Sequence, residues 1–180
     1  MKRVGIFPGT FDPVHNGHVA FALAALDACQ LDTIVFLPER SPRHKTNVSD
    51  FTHRATMVRV ATRQDPRFMT LTLPEPQFTA NTTLPELRKS FPDAAFTLLI
   101  GTDVAKNLPH WDDITRIYNT FELAIGMRAS DEKPTLPVPA TYVPTDFTHA
   151  AASDIRTGKS QDVPKEVHRY IQAHGLYTVQ

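Results

Sequence analysis

Apolar positions along this chain alternate between strand-like runs and helical spacing. Val4, Ile6 and Phe7 form a short run stopped by Pro8-Gly9 and by a turn through Asp12-Pro13, as when a buried strand empties into a loop. Beyond Asn16, Val19, Phe21, Leu23, Ala24 and Leu26 recur at roughly helical intervals, so a helix is expected to begin at Asn16 or Gly17. The same rhythm then repeats. A strand is expected over 32–37, a helix over 51–64, and a strand over 68–73. Leu84 to Phe91 reads as a helix with Pro85 in its first turn and Thr82 or Thr83 as its cap, followed by a strand over 94–100, the most apolar run in the chain. Ile114, Ile117 and Tyr118 mark a short amphipathic helix, with strands expected at 121–127 and 140–143. Ser153-Asp154 is read as the cap of a short helix that places Arg156 in its first turn. A structural helix closes the pattern from Pro164, with Val167, Tyr170 and Ile171 on one face and Gly175 as its stop.

Strands alternating with helices imply an α/β fold whose consecutive strands are joined by right-handed parallel crossovers. At 180 residues the chain is expected to be one domain, 1–180. Formal net charge is zero, which excludes the strong electrostatic footprint of a protein that grips a nucleic-acid backbone. One cysteine excludes an internal disulfide framework, and the charged Lys2-Arg3 leads straight into the first strand without a signal-like apolar segment. A soluble cytoplasmic protein with no membrane partner is the expectation.

Chemistry concentrates at strand ends. The loop after the first strand is poised over a helix N-terminus, where unpaired N–H groups and the dipole favour an anion. His15 and His18, three apart across that start, can point their rings the same way. A zinc site is disfavoured because further ligands are wanting and Cys29 has no Cys partner. The basic stretch Ser41-Pro42-Arg43-His44-Lys45-Thr46 follows the second strand, where open α/β sheets bind ligands. Gly101-Thr102-Asp103 ends another strand, and the lone Trp111 sits on a turn. Gly158-Lys159-Ser160 is no phosphate loop, since Ser153 stands where the first Gly is required and no strand leads into it.

Gly9-Thr10-Phe11-Asp12-Pro13-Val14-His15-Asn16-Gly17-His18 resembles the signature of the His-x-Gly-His nucleotidyltransferases. The resemblance continues in order through Pro42-Arg43-His44-Lys45, Phe78-Thr79-Ala80-Asn81-Thr82, Ile100-Gly101-Thr102-Asp103, Leu108-Pro109-His110-Trp111, Arg128, Ser153-Asp154-Ile155-Arg156 and Gly175-Leu176-Tyr177, as in bacterial nicotinate mononucleotide adenylyltransferases. It implies a Rossmann-like doubly wound parallel sheet of the HUP nucleotidyltransferase type with a small C-terminal helical segment. The reaction implied is attack by the phosphate of nicotinate mononucleotide on the α-phosphorus of ATP, with Mg²⁺ carried by the ATP and no metal held by the protein. Its nucleophile is already an anion, so alignment and charge stabilisation suffice. By resemblance His15, His18, Lys45 and Arg156 are catalytic, and Gly9, Thr10, Phe11, Gly101, Asp103 and Ser153 contact ATP. Thr79, Asn81, Thr82, Trp111 and Arg128 are likewise assigned to the mononucleotide. Thr79, Thr82 and Asn81 are neutral donors suited to the acid form of the ring, although an amide such as Asn81 also accepts and would welcome nicotinamide.

The chain departs from the family pattern at Pro8, at Ala151-Ala152 in place of a pair of serines, at Asn81 in place of an acid, and in a short segment between Arg156 and Pro164. Alternatives are an adenylyltransferase for nicotinamide mononucleotide or phosphopantetheine, the latter opposed by Trp111 and the Thr79/Thr82 pair. A non-catalytic nucleotide-binding protein on the same scaffold is a third, which Ala151-Ala152 would permit.

Overall fold

The computed structural model describes residues 1–43, 45–145 and 151–177. Its strands are β1 (Arg3–Gly9), β2 (Thr33–Pro38), β3 (Phe68–Thr70), β4 (Ala95–Gly101), β5 (Phe121–Met127) and β6 (Ala140–Pro144). They form one sheet in the order β3-β2-β1-β4-β5-β6, every neighbouring pair parallel. The chain winds outward from β1 to β3, then returns to the other side of β1 for β4 to β6. That reversal makes the sheet doubly wound and leaves a crevice between the carboxyl ends of β1 and β4.

Helices cover both faces, which is why the central strands read as continuous apolar runs. Helices α1 (Asn16–Ala28), α2 (Phe51–Thr62) and α7 (Lys165–Ala173) lie on one face, where Phe21, Leu26, Met57 and Val167 pack with Phe7, Phe36 and Leu99. On the other face α3 (Ala80–Ser90), α4 (Thr102–Asn107) and α5 (Ile114–Thr120) bring Leu87, Ala105 and Ile117 against Val4, Ile6, Leu98 and Leu123. The last short helix, α6 (Ala152–Arg156), anchors through buried Ile155. No helix among the described residues is long and apolar enough to cross a membrane.

Several boundaries differ from the sequence expectation. Helix α3 starts at Ala80 with Thr79 as its cap, whose Oγ1 accepts the Thr82 N–H at 3.1 Å, so Thr82 and Thr83 lie inside the helix and Pro85 sits beyond its first turn. The cause is tertiary: the Asp113 carboxylate, far along the chain, takes the Ala80 and Asn81 N–H groups. Helix α6 is capped by Ala151 without a side-chain bond, so Ser153 is its second residue and Arg156 its last. Helix α2 ends at Thr62, strand β3 ends at Thr70, and α7 ends at Ala173, just short of the expected stop at Gly175. Strand β4 runs directly into α4, a helix the apolar pattern does not announce.

Candidate functional site

A cleft of about 870 Å³ opens along the carboxyl edge of the sheet. It is lined by Gly9 at the end of β1, Glu39 just past β2, Gly101 at the end of β4, Arg128 just past β5 and Thr145 just past β6. Its volume suits two small polar molecules or one dinucleotide.

The wall formed by the β1–α1 junction is tightly packed. Phe11 is buried with a left-handed backbone (φ 48°), and its ring lies over Gly9 so closely that a Cβ there would stand 2.9 Å from Phe11 Cζ. Position 9 therefore requires glycine. The Phe11 ring contacts Phe7 edge-on at 5.4 Å and the His18 ring at 5.0 Å between centroids. His15 and His18 stack at 3.7 Å with their planes 30° apart, bearing out the expectation that they point the same way. His18 is not a solvent-facing residue at a helix start: its ring is half-buried among Phe7, Phe11 and His15.

Electrostatics keeps that pair neutral. Burial lowers the His15 pKa from 6.5 to about 4, Asp162 opposing and Arg128 adding to the shift. Burial, the neighbouring His15, Lys45 and Arg128 hold His18 well below the ordinary imidazole range. The His15 backbone N–H donates to His18 Nδ1 at 3.2 Å, so the neutral His18 ring carries its proton on Nε2. Buried His15 Nδ1 has no partner among the described residues. At the helix start the Asn16 N–H donates to the Asp162 carbonyl at 3.1 Å. The expectation of several free N–H groups there is thus too generous, and Gly17 is the first residue of α1 that lines the cleft.

Cations ring this packed wall. Exposed Lys45 places Nζ 2.9 Å from Thr10 Oγ1, bridging the basic loop to the β1–α1 loop. Arg156 donates to the Asp12 carbonyl at 2.7 Å, so it reaches the cleft from the end of α6 rather than from a helix start. Arg128 stands on a turn tied by Asp131, whose Oδ2 accepts the Arg128 N–H at 2.9 Å and lies 2.7 Å from Thr102 Oγ1. These two bonds, the backbone one first, lower the Asp131 pKa.

Two anchors sit behind the loops, and the sequence reading did not single them out. Arg54 is fully buried, its guanidinium donating to the carbonyls of Ser49, Thr10, Glu39 and Arg40 at 2.7 to 3.0 Å. It fastens the basic loop to the β1–α1 loop without a carboxylate. The Asp12 carboxylate accepts the Ser49 N–H at 3.1 Å and the Tyr177 hydroxyl at 2.7 Å, latching the end of the described chain onto the same loop. Burial, then the bond to Asp12, raises the Tyr177 pKa, so the hydroxyl keeps its proton and donates. A charged residue on the apolar side of α2 was the available signal for Arg54; Tyr177 had none beyond its place in the resemblance.

The cleft gathers Gly9, Thr10, Phe11, His15, His18, Lys45, Gly101, Asp103, Trp111, Arg128, Ser153 and Arg156. It does not gather Thr79, Asn81 or Thr82. Thr79 and Thr82 share a hydrogen bond at 2.7 Å as part of the α3 cap, and Asn81 Oδ1 accepts from Arg116 at 3.2 Å. His44 lies outside the described residues. Arg43, Glu39 and Asp131 line the cleft in addition. No group of three or more His, Cys, Asp or Glu is placed to hold a metal ion among the described residues.

A family model described as cytidylyltransferase-like matches residues 6–158. A probable nicotinate-nucleotide adenylyltransferase of Thermomicrobium roseum is 34% identical, covering 98% of this chain and 92% of its own length. The nicotinate-nucleotide adenylyltransferase of Bacillus subtilis is 32% identical over 98% of this chain and 99% of its own. Among solved structures, Plasmodium falciparum nicotinic acid mononucleotide adenylyltransferase complexed with NaAD superposes with a TM-score of 0.74 over 98% of both chains, at 16% identity. That likeness is one of fold.

Proposed function

The chain belongs to the nicotinate-nucleotide adenylyltransferases within the cytidylyltransferase-like family, and from that premise we propose that its cleft transfers the adenylyl group of ATP to nicotinate mononucleotide, giving deamido-NAD and pyrophosphate. The observation that carries the reading is the neutral His15–His18 stack at the start of α1, facing a cleft edged by Lys45 and Arg156. A phosphate nucleophile needs no general base, which agrees with two imidazoles kept from titrating near neutrality. The His18 Nε2–H is a fixed neutral donor to an oxygen of the α-phosphoryl group, and Gly17 opens the helix start to the same anion.

Lys45 and Arg156 supply charge from opposite sides of the loop at Asp12, one through Thr10 and the other through the Asp12 carbonyl. As the reaction proceeds, negative charge grows on the leaving pyrophosphate, and mobile cations at the rim follow it. Gly9, Thr10, Phe11, Gly101, Asp103 and Ser153 form the ATP side of the cleft in this reading. Trp111 offers a stacking face and Arg128 a cation to the mononucleotide. The divalent ion enters as part of the substrate, Mg²⁺ on the ATP phosphates. Ala151 and Ala152 contribute backbone alone, so the triphosphate depends more heavily on the cations than a serine pair would require.

Pyrophosphate release is the test, with Mg-ATP and, in separate reactions, nicotinate mononucleotide, nicotinamide mononucleotide and phosphopantetheine. Release should be fastest with the nicotinate nucleotide. Release with none would favour a non-catalytic nucleotide-binding protein, and preference for phosphopantetheine would overturn the substrate.

A further inference from the structure

Three polar groups around the cleft have no part in the chemistry above: buried Arg54, the Asp12–Tyr177 latch, and Arg43. The first two fasten loops and the chain end to one another, whereas Arg43 lines the cleft with donors to spare. Its Nη2 donates to the Phe78 carbonyl at 2.8 Å, and its guanidinium carbon lies 4.3 Å from the centre of the Trp111 ring. Nη1 is 3.9 Å from Glu39 Oε1, beyond hydrogen-bond distance, and that oxygen already accepts the Phe78 N–H at 3.0 Å. A guanidinium has five N–H groups, so most of this fork is open. The neutral donors that the sequence offered for a ring carboxylate, Thr79, Thr82 and Asn81, follow Phe78 in the chain but are not among the cleft-lining residues, so Arg43 is the charged donor on that side.

We propose that Arg43 is the residue that selects the acid form of the pyridine nucleotide, its guanidinium at the Trp111 wall meeting the ring carboxylate of nicotinate mononucleotide. This rests on the reading of the substrate as a pyridine mononucleotide. The pyridine ring of such a nucleotide is quaternised and cationic. In the acid the ring carboxylate cancels that charge and offers two oxygens to a planar fork; in the amide the base stays a cation beside another cation. Trp111 offers a flat apolar face to either ring, so it contributes binding with little discrimination. Arg43 supplies attraction to one nucleotide and repulsion of the other, the arrangement from which specificity is built. Glu39 is the carboxylate beside this fork, paired with Nη1 at 3.9 Å; burial raises its pKa, with the Phe78 N–H bond and Arg43 opposing the shift.

The test compares Arg43→Ala, Arg43→Gln and Arg43→Lys with the unaltered protein, measuring kcat/KM by pyrophosphate release for nicotinate and nicotinamide mononucleotides at one Mg-ATP concentration. Arg43→Ala should lose about 10- to 100-fold with the nicotinate nucleotide, the worth of a charged hydrogen bond, and change little with the nicotinamide one. Arg43→Gln should behave alike, because it keeps donors and stem but not charge, while Arg43→Lys retains part of the preference. Equal losses on both nucleotides, or a preference that survives Arg43→Ala, would overturn the assignment while leaving adenylyl transfer standing. An unaltered protein that turns over neither nucleotide would overturn the adenylyl-transfer reading, and the assignment with it.

Discussion

The two sides of the cleft are built on opposite principles. The β1–α1 wall is packed and its imidazoles are neutral: Phe11 is 2% exposed, His15 is 7% exposed, and the histidine rings lie on one another. Facing it, Lys45, Arg128 and Arg156 are exposed and charged, each held to the wall or its own loop through one or two hydrogen bonds. A charge carried into the wall would cost several kcal/mol in lost hydration, so imidazoles there are worth having only as neutral donors. A cation at the rim keeps its hydration until phosphate replaces it, and can move with developing charge. In the proposed reaction the packed wall would position the phosphorus, and the open rim would supply the charge that lowers the barrier.

Removing His18 breaks the packed side most severely. His18→Ala is expected to reduce kcat on the order of 10² to 10³, the loss of one well-placed donor. Because the ring packs on Phe7 and Phe11, the same change should also lower stability by about 1 to 3 kcal/mol. Steady-state rates and urea unfolding measured together check both; a full stability loss with unimpaired rate would make His18 a packing residue. Lys45→Ala should strike the rim alone, lowering kcat by about 10- to 10²-fold with no change in the thermal midpoint. Single-turnover kinetics reads it, and an unchanged chemical step would remove Lys45 from the mechanism.

The smallest effect is a pH response that stays flat where histidine ordinarily titrates. The folded state depresses the His15 pKa from 6.5 to about 4, so its neutral form contributes stability that is complete above pH 6.5 and is lost as pH falls towards 4. His18 is shifted the same way. Between pH 7 and about 5.5 kcat/KM should show no imidazole inflection, whereas stability should begin to fall below pH 6.5 and continue falling towards pH 4. An inflection near 6.5 that disappears in His18→Gln would place a protonated histidine in the reaction.

Most of the sheet was legible because buried parallel strands are largely apolar runs, as at 4–7, 94–100 and 121–127, the first two ending at Pro8 and Gly101. The cleft was legible as a set of strand ends. What misled the reading was capping, where local grammar competes with distant partners. Thr82, Thr83, Ser153 and Asp154 are all good caps by type, yet Thr79 and Ala151 hold those positions. Asp113 decides the first case by binding the α3 N-terminus from another element.

By itself, then, the sequence determined the alternation of strands and helices and the pairing of His15 with His18 across a helix start, since these follow from spacing of a few residues. Tertiary structure alone decided that the histidines are neutral, that Arg54 joins the basic loop to the β1–α1 loop through carbonyls, that Tyr177 reaches Asp12, and that Arg43 rather than Thr79 or Asn81 lines the cleft beside Trp111. Burial, and the meeting of groups 35 to 165 residues apart, are properties of the packed chain, which no local pattern of residues encodes.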